Sequence, residues 1–183
     1  HPEETTMSFN PEVRWSPSDH GLISWTYDLA MGASGQLIAA QGTVNFARLH
    51  IPYNCSITNI WMLLTTQGSG LTSGENFAGL YNSAGTLLGA TADQSTTWAT
   101  NGTKQMAISG GPIAVTPGDY LVGFFANGTT LPSPLRAVSQ NANVNLSSPN
   151  SRFGTASTGN TTAMPSAIGT LAAASNAWWI AVN

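Results

Sequence analysis

Asn76-Phe77-Ala78-Gly79-Leu80-Tyr81, then Asn82-Ser83-Ala84-Gly85, then Thr86-Leu87-Leu88-Gly89-Ala90 follow one another without interruption. The outer two pieces have strand length and apolar character. The middle piece is a loop of the length that closes hairpins, with a glycine to take the positive φ that other residues disfavour. The stretch predicts an antiparallel β-hairpin.

The same signals recur on both sides of it. Residues 22–27 mix apolar and aromatic side chains over a strand length. Residues 43–51 carry Val44, Phe46, Leu49 and Ile51 and stop at Pro52. Residues 56–66 are rich in β-branched and apolar types and end at Gly68-Ser69-Gly70. Residues 104–109 set Met106 and Ile108 against Gln105 and Ala107, and Pro117-Gly118 turns the chain into the strongly apolar run 120–126. Residues 178–182 give a last strand so apolar that it must lie in a sheet formed upstream. Between them, residues 127–175 hold Pro132, Pro134, Pro149 and Pro165 among Asn, Ser, Thr, Ala and Gly. A loop that long is unusual in a compact domain, so two or three short strands are expected there. No helical period runs over ten or more residues, and the alanine-rich piece at 171–175 is the one candidate exception. Many short strands punctuated by Gly, Pro and Asn predict one all-β domain over 22–183, an antiparallel β-sandwich.

Composition bounds what such a domain does. At 183 residues the chain suits a single domain with a real hydrophobic core. Apolar residues make up an ordinary 42%, but charged residues only 7%, where about 25% is usual. Hydroxyl and amide groups supply the missing polarity, and they pack against another surface with less desolvation penalty than ions. That favours a chain that lives against neighbouring subunits, and a homo-oligomer is expected. The net charge of −3 and five basic residues scattered from Arg14 to Arg152 speak against nucleic acid, whose binding needs clustered cations. The scatter equally disfavours an anionic membrane surface, and no run is long enough to insert in a bilayer. Cys55 is the only cysteine, so it reads as a free thiol with no intrachain partner.

Residues 1–21 stand apart. They hold Pro2, Pro11 and Pro17, the acids Glu3, Glu4, Glu12 and Asp19, and the aromatic residues Phe9 and Trp15. Proline at that density predicts an extended N-terminal arm, with Phe9 and Trp15 as candidate anchors on a neighbour. A tail or a first edge strand fits the same residues. The opening His1 to Asn10 is acidic and polar, unlike a signal peptide.

Catalytic patterns do not emerge. Ser18-Asp19-His20 reads as a turn before Gly21, since members of a catalytic triad meet in space and not as neighbours in sequence. His50 alternates with Leu49 and Ile51 and reads as a strand residue facing solvent or an interface. A hydrolase would need Asp28, Glu75, Asp93 or His50 to converge, and no motif surrounds any of them. No Cys/His spacing suits zinc, no acidic loop suits calcium, and no glycine-rich phosphate cradle is present. No catalytic residue, metal or cofactor is therefore expected. Five Asn-x-Ser/Thr sequons, at Asn54, Asn101, Asn127, Asn145 and Asn160, are what chance produces in so Asn/Ser/Thr-rich a chain. Among the six tryptophans, Trp61 and Trp178 look like core. Trp98, in a polar stretch, is the candidate ligand platform, because sugars stack on flat rings; a hydrophobic anchor under a loop is the more ordinary reading of the same residue.

Two stretches also bear a likeness. Pro17-Ser18-Asp19-His20-Gly21-Leu22-Ile23-Ser24-Trp25-Thr26-Tyr27-Asp28 resembles an N-terminal pattern in virion proteins of tailed bacteriophages infecting actinobacteria. So does the hairpin 76–86, followed by Pro117-Gly118-Asp119-Tyr120. The resemblance spans roughly residues 17–126. It implies a jelly-roll-like or immunoglobulin-like sandwich on the surface of the virion, as a minor tail or fibre protein or a head decoration, and it carries over no catalytic residue. The expected function is non-enzymatic and structural, through contacts with other virion proteins. A carbohydrate-binding module for host cell-wall glycans is the alternative.

Overall fold

The hairpin forms one end of a six-stranded antiparallel sheet. In a computed structural model, which describes residues 15–38, 40–137 and 142–183, the strands are, in chain order, β1 (Ser24–Trp25), β2 (Gly32–Gly35), β3 (Asn45–Ile51), β4 (Cys55–Ile57) and β5 (Asn59–Thr66). There follow β6 (Ser69–Leu71), β7 (Phe77–Asn82), β8 (Leu87–Ala90), β9 (Gly102–Ala107), β10 (Ile113–Val115) and β11 (Gly118–Phe125). The last are β12 (Gly128–Thr130), β13 (Ser133–Ala137), β14 (Phe153–Thr155), β15 (Ala172–Ala173) and β16 (Ile180–Val182). Helical structure among the described residues is limited to 3₁₀ turns at Pro17–His20, Leu29–Met31 and Thr97–Ala99.

One sheet runs β15-β14-β3-β11-β7-β8. The other runs β1-β16-β5-β13-β2, with β9 on the far side of β5. Every pairing is antiparallel, and β4–β10 and β6–β12 form two small ribbons. Side-chain alternation explains the layering. In β5, Ile60, Met62 and Leu64 are buried in the main core, while Trp61 and Leu63 face outward. In β11, Tyr120, Val122 and Phe124 enter the same core from the opposite sheet. Leu121 and Phe125 point the other way, yet they too are buried. They meet Val44, Phe46, Tyr81, Met164, Ile168 and Leu171 in a second cluster.

The second cluster exists because residues 156–171 cover the outside of the β3–β11–β7 sheet. Ala156 N donates to Val44 O at 2.8 Å, and Ile168 N donates to Gly85 O at 2.8 Å. Gly123 lies opposite Gly79 in the ladder. A Cβ on Gly123 would come within 2.9 Å of Val44 Cγ1 and 3.2 Å of Met164 Cε, so the glycine pair leaves the slot that Met164 fills. The outer face of the other sheet is covered similarly by Leu22, Tyr27 and Leu29.

A row of buried carboxamides ties this covering layer down. Asn76, with no solvent exposure, accepts from Asn127 N at 3.1 Å and donates to Thr72 O at 2.6 Å. Asn127 donates to Glu75 O and Asn160 O, and Asn160 donates to Gly42 O and Ser157 O. Asn76→Ala leaves the buried Asn127 N–H without its partner, a penalty of about 1–3 kcal/mol, while Thr72 O keeps its bond from Glu75 N. Its expected effect is a loss of about 1–3 kcal/mol in urea unfolding, with residues 156–171 becoming the first site of proteolytic cleavage.

The structure corrects several expectations. Residues 56–66 are two strands, because Asn183 O accepts from both Thr58 N and Asn59 N and pinches the chain there. Four short strands, β12 to β15, occupy 127–175, and the alanine-rich piece contributes β15 in place of a helix. Within 15–21 the chain is not extended. Pro17 opens the 3₁₀ turn, where its missing N–H is no loss, Asp19 Oδ2 accepts from Ser16 N and Ser16 Oγ at 2.7 Å each, and Gly21 closes the turn at φ 69°. The rest of the expected arm, residues 1–14, including Phe9, lies outside the described residues.

Candidate binding surface around Trp25

Trp25 stands on β1, the end strand of its sheet, where it comes into contact with β3 of the other. Its strand, β1, pairs with β16, but Ser24 Oγ reaches across to donate to His50 O of β3 at 2.6 Å. The 3₁₀ turn folds His20 back so that its ring centroid lies 5.3 Å from that of Trp25. Trp15 meets His20 edge-on at 5.8 Å and is itself 64% exposed. Trp15, His20, Asp28, Leu29 and Ala30 line an open, largely apolar hollow of about 330 Å³.

A second hollow, of about 270 Å³, lies against Trp25 and Thr26 and is walled by Arg48, Leu49, His50, Asp119 and Arg152. Arg48 and His50 are two apart on β3, hence on one face, and the β3–β11 register sets Asp119 directly opposite His50. His50 Nδ1 and Asp119 Oδ1 are 2.9 Å apart, with both side chains more than half exposed. Such a surface pair adds little stability. It does hold the carboxylate to one side of the hollow.

The two guanidiniums are positioned by backbone carbonyls. Arg48 donates from Nε to Ser151 O at 3.2 Å and from Nη2 to Pro149 O at 2.6 Å. Arg152 donates from Nη2 to Thr26 O at 3.3 Å and lies over the Phe153 ring. Asn143 Oδ1 accepts from the backbone N–H groups of Arg152 and Phe153 and so fixes the bend that presents Arg152. Partial burial pushes the Arg48 pKa down while the Asp119 carboxylate opposes that shift. A guanidinium stays charged regardless. Two of the five basic residues of the chain thus meet in one hollow.

Trp98, the candidate ligand platform of the sequence, is not on this surface. It has no solvent exposure and sits in the main core, donating from Nε1 to Met106 Sδ at 3.2 Å. The polar stretch around it folds over the ring as a 3₁₀ turn. It is the anchor of that loop and offers no face to a ligand.

The acids considered for hydrolysis have local backbone roles. Asp28 accepts from Ala30 N at 2.9 Å and starts the turn at Leu29–Met31. Burial raises the Asp93 pKa, but hydrogen bonds from Ser95, Gly74 and Asn76 outweigh it and leave the carboxyl below its ordinary value. Glu75 contributes its backbone carbonyl to Asn127. Among the described residues, no group of three or more His, Cys, Asp or Glu side chains could hold a metal ion. Cys55 is half-buried and its thiol is pushed up by desolvation, away from reactivity. Of the sequons, Asn127 is buried with its amide engaged, whereas Asn54, Asn101 and Asn145 are exposed.

Sequence reading assigned Trp25, His20, Arg48, Asp119 and Arg152 to no binding site, and took His20 as part of a turn. One signal was available: in so ion-poor a chain, Arg48 and His50 at strand spacing mark one polar face, and Asp119 begins the strand that follows Pro117-Gly118. No protein-family model matches the chain, and no curated protein matches it.

Proposed function

We propose that this chain is a non-enzymatic structural module of a tailed-phage particle that works by packing against neighbouring subunits. The observation that carries this reading is a sheet edge with neither charge nor proline on it, its ladder interrupted once at Ala33, beside exposed apolar side chains. Among the described residues, strand β2, Gly-Ala-Ser-Gly, ends its sheet with one edge unpaired. Monomeric proteins protect such edges with charges, proline or bulges, since a free row of N–H and C=O groups recruits other chains. Here Met31 and Leu37 flank the strand at 66% and 48% exposure, and Trp15 lies on the same N-terminal stretch. An edge of this kind suits a neighbour that adds a strand or covers it. The resemblance of residues 17–28 and 76–86 to virion proteins supports the particle as the setting, and other virion proteins or further copies of this chain as the partners.

The test is incorporation into particles. The double variant Met31→Lys/Leu37→Lys changes only exposed positions, so its stability should stay within about 0.5 kcal/mol of the parent. It is expected to remain cooperatively folded and to be lost from purified particles. Deleting residues 1–14 measures the contribution of the arm in the same assay. Parental incorporation of both variants overturns the reading.

A further inference from the structure

We propose that the hollow walled by Arg48, Arg152 and Trp25 binds an acidic saccharide, with the sugar ring against the aromatic surface and its carboxylate or phosphate between the two guanidiniums. The site goes beyond the packing role and lies apart from the β2 edge.

Three features point to this chemistry. The first is charge placement. A surface with almost no ions brings two arginines together, and the one acid beside them, Asp119, is occupied by His50. The second is preorganisation. Pro149 O and Ser151 O hold Arg48, and Thr26 O holds Arg152, so little side-chain freedom remains to be lost on binding. Among the described residues Arg48 Nη1 and Arg152 Nε and Nη1 donate to no protein acceptor, which leaves N–H groups for an incoming anion. Guanidinium donors match the paired oxygens of carboxylate and phosphate. The third feature is the ring surface. Trp25 lines the hollow, giving the C–H face of a sugar a flat apolar partner. A space of about 270 Å³ admits one sugar unit, as at the end of a glycan. A bare anion would use the arginines but gain nothing from the ring.

Titration of the intact protein by NMR with methyl glucuronide, glucose 6-phosphate, methyl glucoside and inorganic phosphate tests this. The two acidic sugars are expected to shift the Trp25 indole and Arg152 signals and to bind about tenfold or more tightly than either the neutral sugar or phosphate alone. The stronger of the two acids identifies the anionic group. Arg152→Gln, at an exposed position, should lower the affinity for both about tenfold. Asp119→Asn should raise it, because a repelling carboxylate is removed; a scaffold effect would not reverse sign in this way. Equal affinity for acidic and neutral sugars overturns the anion half, and equal affinity for phosphate and sugar phosphate overturns the saccharide half. No saturable binding by any probe overturns the site. None of these outcomes bears on particle incorporation, so the two proposals fail separately.

Discussion

Trp178→Ala is expected to lower the unfolding free energy by about 3–5 kcal/mol, a large share of the roughly 5–15 kcal/mol that holds a domain together. Trp178 is 1% exposed and its ring meets Phe124 edge-to-face at 5.6 Å. Phe124 belongs to β11 and Trp178 leads into β16, so this contact joins the two sheets through the centre of the core. Truncation removes the largest side chain at that junction, and strands fixed on both sides cannot close the gap. Trp178→Phe keeps an aromatic edge there and should lose markedly less. Denaturant unfolding followed by circular dichroism measures both. A loss below about 1 kcal/mol for the alanine variant, the size of an ordinary substitution, would show that the sheets do not depend on this ring.

The neighbouring Trp179 shows how far the sequence could be read here. Residues 178–182 announce a buried strand, and strand alternation then sends Trp178 and Trp179 to opposite faces. Trp178 enters the main core, and Trp179 enters the outer cluster with Leu22 and Leu135, donating from Nε1 to Tyr27 O. The hairpin at 76–90 was legible for the same local reasons: apolar strands, a short loop and Gly85 at φ 84°. Both cases need only a residue and its near neighbours.

The covering layer was not legible, because its one apolar spacing points the wrong way. Met164, Ile168 and Leu171 stand four and three residues apart, as on a helix face, but Pro165 and Gly169 between them break a helix. They are buried only because Gly79 and Gly123, far away in sequence, leave a slot for Met164. The surface around Trp25 was hidden for a related reason. Its members come from β1, β3, β11 and the bend before β14, and apart from Arg48 and His50 each stands alone in its own stretch. Only the pairing of β3 with β11 and the crossing of Ser24 to His50 bring them together.

Trp98→Ala separates an anchor from a ligand platform. An exposed stacking residue can be truncated with little effect on stability, and its loss appears in binding. A buried one behaves in the opposite way. Trp98 is fully enclosed, its Nε1–H is directed at Met106 Sδ, and its backbone carbonyl accepts from Gly68 N at 2.8 Å, so the ring ties residues 94–101 to the turn after β5. The alanine variant is expected to lose about 3–5 kcal/mol and to unfold at a much lower denaturant midpoint, with Gly68 and Ala99 gaining hydrogen-exchange rate first. Under conditions where it is still folded, its affinity for acidic sugars should equal that of the parent, since Trp98 lies in the core and does not line the Trp25 hollow. A folded, fully stable Trp98→Ala protein would place the ring outside the core and overturn the assignment of this loop. The polar residues around Trp98 are what made it look exposed. They are polar because they form the outer side of a lid, and the lid needs one large apolar side chain beneath it to stay closed.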